Sequence, residues 1–362
     1  MPKASCGMPT PVGCLGRVGS AGPGRESGGG GGIVTGVGSK GARGGARERA
    51  EHLADGLFRR DRLAIARSLS QVEDSSRVGR ELLDLVFPRI GHARRIGITG
   101  PPGSGKSTLV HAVAMLLRRR GQRVAVLAVD PTSPFSGGAI LGDRVRMPGA
   151  AGDEGFFVRS MASRGSLGGV AATTHEASEV LDAAGFDWIL IETVGVGQSE
   201  LEIVELADTV VLVLVPESGD AVQVMKAGIM EIADVFVINK YDREGGDRLM
   251  RDISVTMQIT QWSRPEGWVP PICPTVATSD EGIEQVLAEA ERHLAWLQED
   301  RPRLERFRAE KLRRRLQMLL SRILLERAWK AAQIDEQLDG AVERIMAGDL
   351  SPYRWVAGIE LG

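Results

Sequence analysis

An α/β three-layer sandwich around a mainly parallel sheet is the fold this sequence predicts. Three observations lead there: a glycine-rich turn at Gly100–Thr108, an alternation of strand-like and helix-like segments after it, and strands almost free of polar residues. Arg95-Ile96-Gly97-Ile98-Thr99 is a short apolar strand, and Leu109 to Arg119 carries apolar residues at helical spacing. The turn between them has the P-loop spacing G-x-x-x-x-G-K-S. Its residues Gly100, Pro101, Pro102, Gly103, Ser104, Gly105, Lys106, Ser107 and Thr108 are therefore candidates to cradle a nucleotide's phosphates. Glycines let backbone N–H groups turn toward an anion, and a helix N-terminus favours negative charge. Lys106 would reach the β- and γ-phosphates, and the Ser107 hydroxyl would take one position on a magnesium ion.

The later segments follow in order: strands at Arg123–Asp130 and Phe156–Met161, a helix at Gly169–Ala184, and strands at Trp188–Thr193 and Thr209–Val215. A helix at Ala221–Ile232, strands at Val235–Asn239 and Ile272–Ala277, and a helix at Gly282–Leu297 complete the core. Runs such as Val210 to Val215, apolar throughout, suit a sheet covered on both faces. Before the core, apolar residues from Glu51 to Phe87 recur at helical intervals and predict two helices ending at Pro88. Residues 1–50 are rich in glycine, with Gly28 to Gly32 consecutive, and are expected to be a disordered leader. Beyond Arg301, Leu304, Phe307, Leu312, Leu316, Leu319, Leu320, Ile323 and Leu324 describe a long amphipathic helix whose stripe needs a partner. The expected divisions are thus 1–50, 51–92, a nucleotide domain at 93–300, and a helical arm at 301–362.

Composition narrows the function. The chain has 362 residues, 43% hydrophobic, enough for a large core, and its net charge of -2 offers no field to draw nucleic acid. Three cysteines preclude a disulfide framework and suit a reducing, cytoplasmic compartment. No run of about eighteen apolar residues exists to span a membrane. His52, His92, His111, His175 and His293 are scattered singly, unlike a nickel or zinc site.

The strand Val235-Phe236-Val237-Ile238 runs into Asn239-Lys240-Tyr241-Asp242, an NKxD arrangement that distinguishes guanine from adenine. The Asp242 carboxylate can accept from guanine N1–H and its exocyclic amine together, and adenine offers neither donor there. Val276, Ala277 and Thr278 would add backbone contacts to the base. Asp130 and Glu192, each at the end of a strand, and Asp143, in the Gly-rich loop 136–143, are candidates to manage magnesium, some through water. Glu192-Thr193-Val194-Gly195 has the form of a γ-phosphate sensor, with the Gly195 N–H on the terminal phosphate. Val196 stands where Ras-like enzymes carry a water-orienting Gln, so unaided hydrolysis is expected to be slow, with Gln198 a candidate substitute.

Taken together, these residues resemble the MeaB/ArgK family of P-loop GTPases. The resemblance rests on Gly100–Thr108, Val129–Phe135, Gly137–Arg144, Ser163–Gly165, Glu192–Glu200, Gly228–Asp234 and Asn239-Lys240, and covers roughly residues 50 to 350. It implies a GTP-hydrolysing chaperone of an adenosylcobalamin-dependent acyl-CoA mutase, typically methylmalonyl-CoA mutase, gating cofactor delivery and protecting or reactivating the mutase. It also implies a homodimer joined through C-terminal helices, magnesium and nucleotide roles for Ser107, Asp130, Asp143 and Glu192, and a mobile loop near residues 216–226. Two positions depart from the family's pattern: Glu217 replaces a small residue, and Tyr241 replaces the usual Ala. The alternatives are a kinase or transport ATPase, a nickel-type metallochaperone, and a module that holds GTP without hydrolysing it.

Overall fold

The computed structural model describes residues 38–130, 152–162, 169–193, 199–216, 229–259 and 267–359. Residues Ala42–Gly362 form one compact unit. Three helices precede the sheet rather than two: α1 (Gly38–Phe58), α2 (Arg62–Glu73) and α3 (Arg77–Val86). The first begins inside the segment expected to lack structure. Ala46, Ala50, Ala54 and Leu57 recur at spacings of three and four and are all buried, so a packing face already exists within the glycine-rich stretch. Local chemistry separates the helices. Arg60 and Ser75 adopt positive φ, and the next residues, Asp61 and Ser76, cap α2 and α3 by accepting from the Leu63 and Gly79 N–H groups.

The core then alternates. In chain order come β1 (Arg94–Thr99), α4 (Lys106–Arg119), β2 (Val124–Asp130), β3 (Phe156–Ala162), α5 (Gly169–Ala183) and β4 (Trp188–Thr193). These are followed by α6 (Ser199–Leu206), β5 (Thr209–Leu214), β6 (Val235–Asn239), α7 (Gly246–Ile259), β7 (Ile272–Thr275) and α8 (Ile283–Glu299). The seven strands lie in the order β3-β2-β4-β1-β5-β6-β7. Every pairing among them is parallel. Side chains alternate across the strands into two layers. Ile96, Ile98, Val124, Val126, Val211 and Val213 meet Leu109, Val113 and Leu117 of α4 and Leu287 of α8. Ala125, Leu127, Ile189 and Ile191 meet α5, α6 and the three N-terminal helices. Each fully buried Leu or Ile contributes about 1.5–3 kcal/mol, which explains why the strands carry so few polar residues.

Helices α6 and α7 lie outside the sequence expectation. The signal for α7 was present as Leu249, Ile253 and Met257 four residues apart, all buried against the β5–β6 edge. By contrast α6 has two turns only, too short for periodicity to stand out. It packs hard on the central strand: a Cβ at Gly97 would lie 2.4 Å from Ile203 Cγ1 and 2.8 Å from Ala207 Cβ, so only glycine lets the helix approach. Of the expected helix at 221–232, the described end, Ile229–Ile232, is a 3-10 turn. β7, an edge strand containing Pro274, stops at Thr275 rather than Ala277.

After Arg301 the chain forms α9 (Arg301–Ala331), α10 (Ile334–Met346) and α11 (Pro352–Ala357), so the expected long helix is the first of three. Charge, more than apolar contact, joins α9 to the core. Lys311 donates to the Ala207 carbonyl and pairs with Asp208, Arg314 pairs with Glu205, Arg315 with Glu179, and Arg322 with Glu176. Lys311, Arg314, Arg315 and Arg322 are therefore all engaged with carboxylates of the core. Leu312, Leu316, Leu320 and Leu324, on the same helix, are each at least half exposed.

His175 of α5 sits in this seam, 4.0 Å from Glu179. Burial, then the positive charges of Arg315, Arg95 and Lys311, hold its pKa well below the ordinary value. The unfolded chain therefore binds a proton that the folded chain refuses. Stability should be at full strength above about pH 6.5 and fall as pH drops below it, with a slope approaching about 1.4 kcal/mol per pH unit. Urea denaturation between pH 7.5 and 5.5 checks this, and His175→Gln should flatten the profile.

Candidate functional site

The described candidate residues gather at the carboxyl edge of the sheet. The P-loop leaves β1 at the centre, Asp130 closes β2, Glu192 and Thr193 close β4, Asn239 closes β6, and Thr275 closes β7. This is the crevice where parallel α/β sheets bind ligands. Gly105, at the N-terminus of α4, has φ of 88°, and a Cβ there would fall 2.3 Å from Asn239 Nδ2. Glycine is needed both for that conformation and for that contact.

The loop's carbonyls are taken up by side chains. Lys106, buried in the loop, donates from Nζ to the carbonyls of Gly100 at 2.8 Å and Pro101 at 3.0 Å. Asn239 Nδ2 donates to the Ser104 carbonyl at 2.8 Å, and Lys240 Nζ to the Gly103 carbonyl at 2.9 Å. The other end of Asn239 is equally occupied, its Oδ1 accepting from the Ala277 N–H at 3.1 Å and from Thr275 Oγ1 at 3.2 Å. One buried amide thus joins three loops. Lys240 itself has φ of 57°, and the turn continues to Asp242, which is exposed. Tyr241 turns its hydroxyl to Asp247 Oδ1 at 2.5 Å. The 276–281 loop is closed by the Val276 N–H on the Glu281 carbonyl; Ala277 is buried, and Thr278 exposed.

Across the crevice, Ser107 Oγ donates to Glu192 Oε1 at 2.5 Å. Two hard oxygen groups thus meet beside the loop, a pair whose chemistry would fit magnesium. Asp143 and Gly195 lie outside the described residues, as do Val196, Gln198 and Glu217. Among the described residues no cluster of three or more His, Cys, Asp or Glu could hold a metal ion. Cys273, buried in β7, has its thiol pushed up to about 12 by burial and stays protonated. Sequence reasoning passed over one pair here. Thr193 Oγ1 donates to Thr99 Oγ1 at 2.8 Å, both side chains fully enclosed. Its signal was a hydroxyl at the last position of each strand.

A P-loop on the central strand of an all-parallel sheet, bonded to an Asn-Lys-x-Asp turn two strands away, defines a P-loop GTPase. The profile described as methylmalonyl-CoA mutase-associated GTPase MeaB matches residues 64–333. The chain belongs to the MeaB family. A putative GTPase of Pyrococcus abyssi is 44% identical over 308 residues, 84% of this chain and 93% of that protein. A mitochondrial methylmalonic aciduria type A homolog of Mus musculus is 36% identical over 253 residues, 65% of this chain and 61% of that one. Among solved structures, the crystal structure of an LAO/AO transport system kinase aligns with a TM-score of 0.63 at 25% identity, covering 86% of this chain and 96% of that one.

Asn239→Ala leaves the Ser104 carbonyl and the Ala277 N–H without their partner in a buried setting. It should cost about 1–3 kcal/mol of stability in nucleotide-free protein, measurable by chemical denaturation.

Proposed function

We propose that this GTPase is a chaperone of an adenosylcobalamin-dependent acyl-CoA mutase of the methylmalonyl-CoA type. It gates cofactor loading and protects or reactivates the mutase. The observation that carries this reading is the MeaB match, which spans the nucleotide core and the start of the arm under a description that names the mutase. The similarity to the methylmalonic aciduria type A homolog points the same way. We assign its action to the cytoplasm, in keeping with the three cysteines in the whole chain. Among the described residues, no helix is long and apolar enough to cross a membrane. Nucleic acid is not a partner in this reading.

In this reading, Gly100–Thr108 wrap the phosphates with backbone N–H groups. The Lys106 ammonium exchanges its carbonyl partners for β- and γ-phosphate oxygens and stabilises the charge that grows on them as water displaces GDP from the γ-phosphorus. Ser107 and Glu192, with Asp130 and Asp143, hold magnesium directly or through water. The ion supplies further neutralisation of the phosphate charge. Gly195 senses the terminal phosphate. Asp242 reads the guanine, Asn239 and Lys240 brace it against the P-loop, and Val276, Ala277 and Thr278 border the base. Hydrolysis is slow without the partner, because Val196 cannot orient water.

A second copy of the chain covers the exposed leucines of α9. That stripe runs through four turns with no buried residue on the helix, as a homodimer through the arm requires. Leu316→Glu combined with Leu320→Glu should give a monomer by light scattering while leaving GTP binding intact.

Asp242→Asn should weaken GTP at least about tenfold and favour xanthosine triphosphate, whose carbonyl accepts from the amide. Competition against a fluorescent GDP measures it, and unchanged GTP affinity refutes the role. The chaperone reading is tested by gel filtration with purified methylmalonyl-, isobutyryl- and ethylmalonyl-CoA mutases. One of them should co-elute and load adenosylcobalamin at a rate that depends on GTP, and Lys106→Ala should abolish that dependence. No complex and no effect on loading with any of the three defeats it.

A further inference from the structure

Strands β1 and β4 pair through Ile98 and Glu192, the last backbone rung recorded between them. Thr99 and Thr193 come next, and after them the chain enters the P-loop on one side and Val194-Gly195 on the other. The bond between the Thr193 and Thr99 hydroxyls lies at that step. It extends the strand pairing by one rung, made of side chains, just where the backbones part. Thr99 is 0% and Thr193 1% exposed, so no water competes for the bond. Valine has the same shape and a stronger preference for strands, so shape and β-propensity alone leave both hydroxyls unexplained.

Next to this rung, Glu192 reaches Ser107 on the first turn of α4. Two connections from β1 therefore meet at one carboxylate. One runs through the P-loop to Ser107; the other runs through Thr99 and Thr193 to the backbone that carries Glu192. A carboxylate ligand is effective only if its backbone is fixed to a fraction of an ångström. We propose that Thr99 and Thr193 are positioning residues. Their hydroxyl pair holds the end of β4 so that Glu192 faces Ser107 in the geometry that binds magnesium with the nucleotide. This rests on the magnesium roles given above to Ser107 and Glu192.

The test separates positioning from folding. Affinity for a fluescent-labelled GTP analogue is measured with magnesium and with EDTA, and the ratio of the two is the readout. Thr193→Val should lower that ratio about three- to tenfold, the equivalent of one net hydrogen bond, with affinity in EDTA unchanged. Thr193→Ser should restore it. The double variant Thr99→Val with Thr193→Val leaves no hydroxyl unpaired, so its unfolding midpoint should return to that of the wild type while the ratio stays low. The proposal is overturned if the ratio is unchanged in Thr193→Val. It is equally overturned if the ratio recovers along with stability in the double variant. Should the wild type itself show no magnesium dependence, the assignment of Ser107 and Glu192 fails instead.

Discussion

A loop that turns its N–H groups toward an anion must turn carbonyls the other way, and those carbonyls need donors of their own. Much of the site's architecture answers that demand. The Gly100 and Pro101 carbonyls receive Lys106, Gly103 receives Lys240, and Ser104 receives Asn239. Two of these three donors come from the strand end that carries the Asn-Lys-x-Asp sequence. The segment we propose to recognise the base is therefore also part of the framework of the P-loop. In that proposal a nucleotide would meet phosphate and base elements already joined, with less ordering left to do on binding. Lys240, a non-glycine residue at positive φ, fits the same account. Its backbone conformation is unfavourable for a residue with a side chain, and its ammonium bond to Gly103 helps to hold it.

The sheet supplies the second part of the arrangement. Parallel strands bring every carboxyl end to one edge, so residues far apart in sequence reach one crevice without long loops. Covering both faces excludes polar groups from the strands, which concentrates hydroxyls and carboxylates at the ends. Thr99, Glu192, Thr193, Asn239 and Thr275 all stand at such ends. The arm is built on other principles. Its contact with the core is a set of matched charges, and its leucines face outward.

Much of this was legible in the sequence, for identifiable reasons. The strands showed because burial on both faces leaves unbroken apolar runs. The P-loop and the Asn-Lys-x-Asp turn showed because their chemistry fixes residue type and spacing together. What escaped depended on contacts across the fold. The first half of α1 was hidden because alanines at helical spacing, within a glycine-rich stretch, look like composition rather than pattern. Helix α6 was hidden because two turns cannot display a period, although Gly97, the residue that admits it, is plain in the sequence. The bonds of Asn239 to Ser104 and Ala277, and of Thr193 to Thr99, join strands that a linear reading cannot place side by side. The charge pairs of α9 were hidden for the same reason, since an arginine-rich helix looks solvated until its carboxylates are found on α5 and α6.

Those pairs carry a consequence for the registry of the arm. Advance α9 by one turn and Leu319 arrives where Arg315 faced Glu179, while Glu326 arrives where Arg322 faced Glu176. Retract it by one turn and Phe307 replaces Lys311 at Asp208, while Glu310 replaces Arg314 at Glu205. Either slip sets acid against acid. A greasy seam would tolerate sliding; this one works as a vernier with a single coincident mark, and so fixes where along the body the outward leucines are presented.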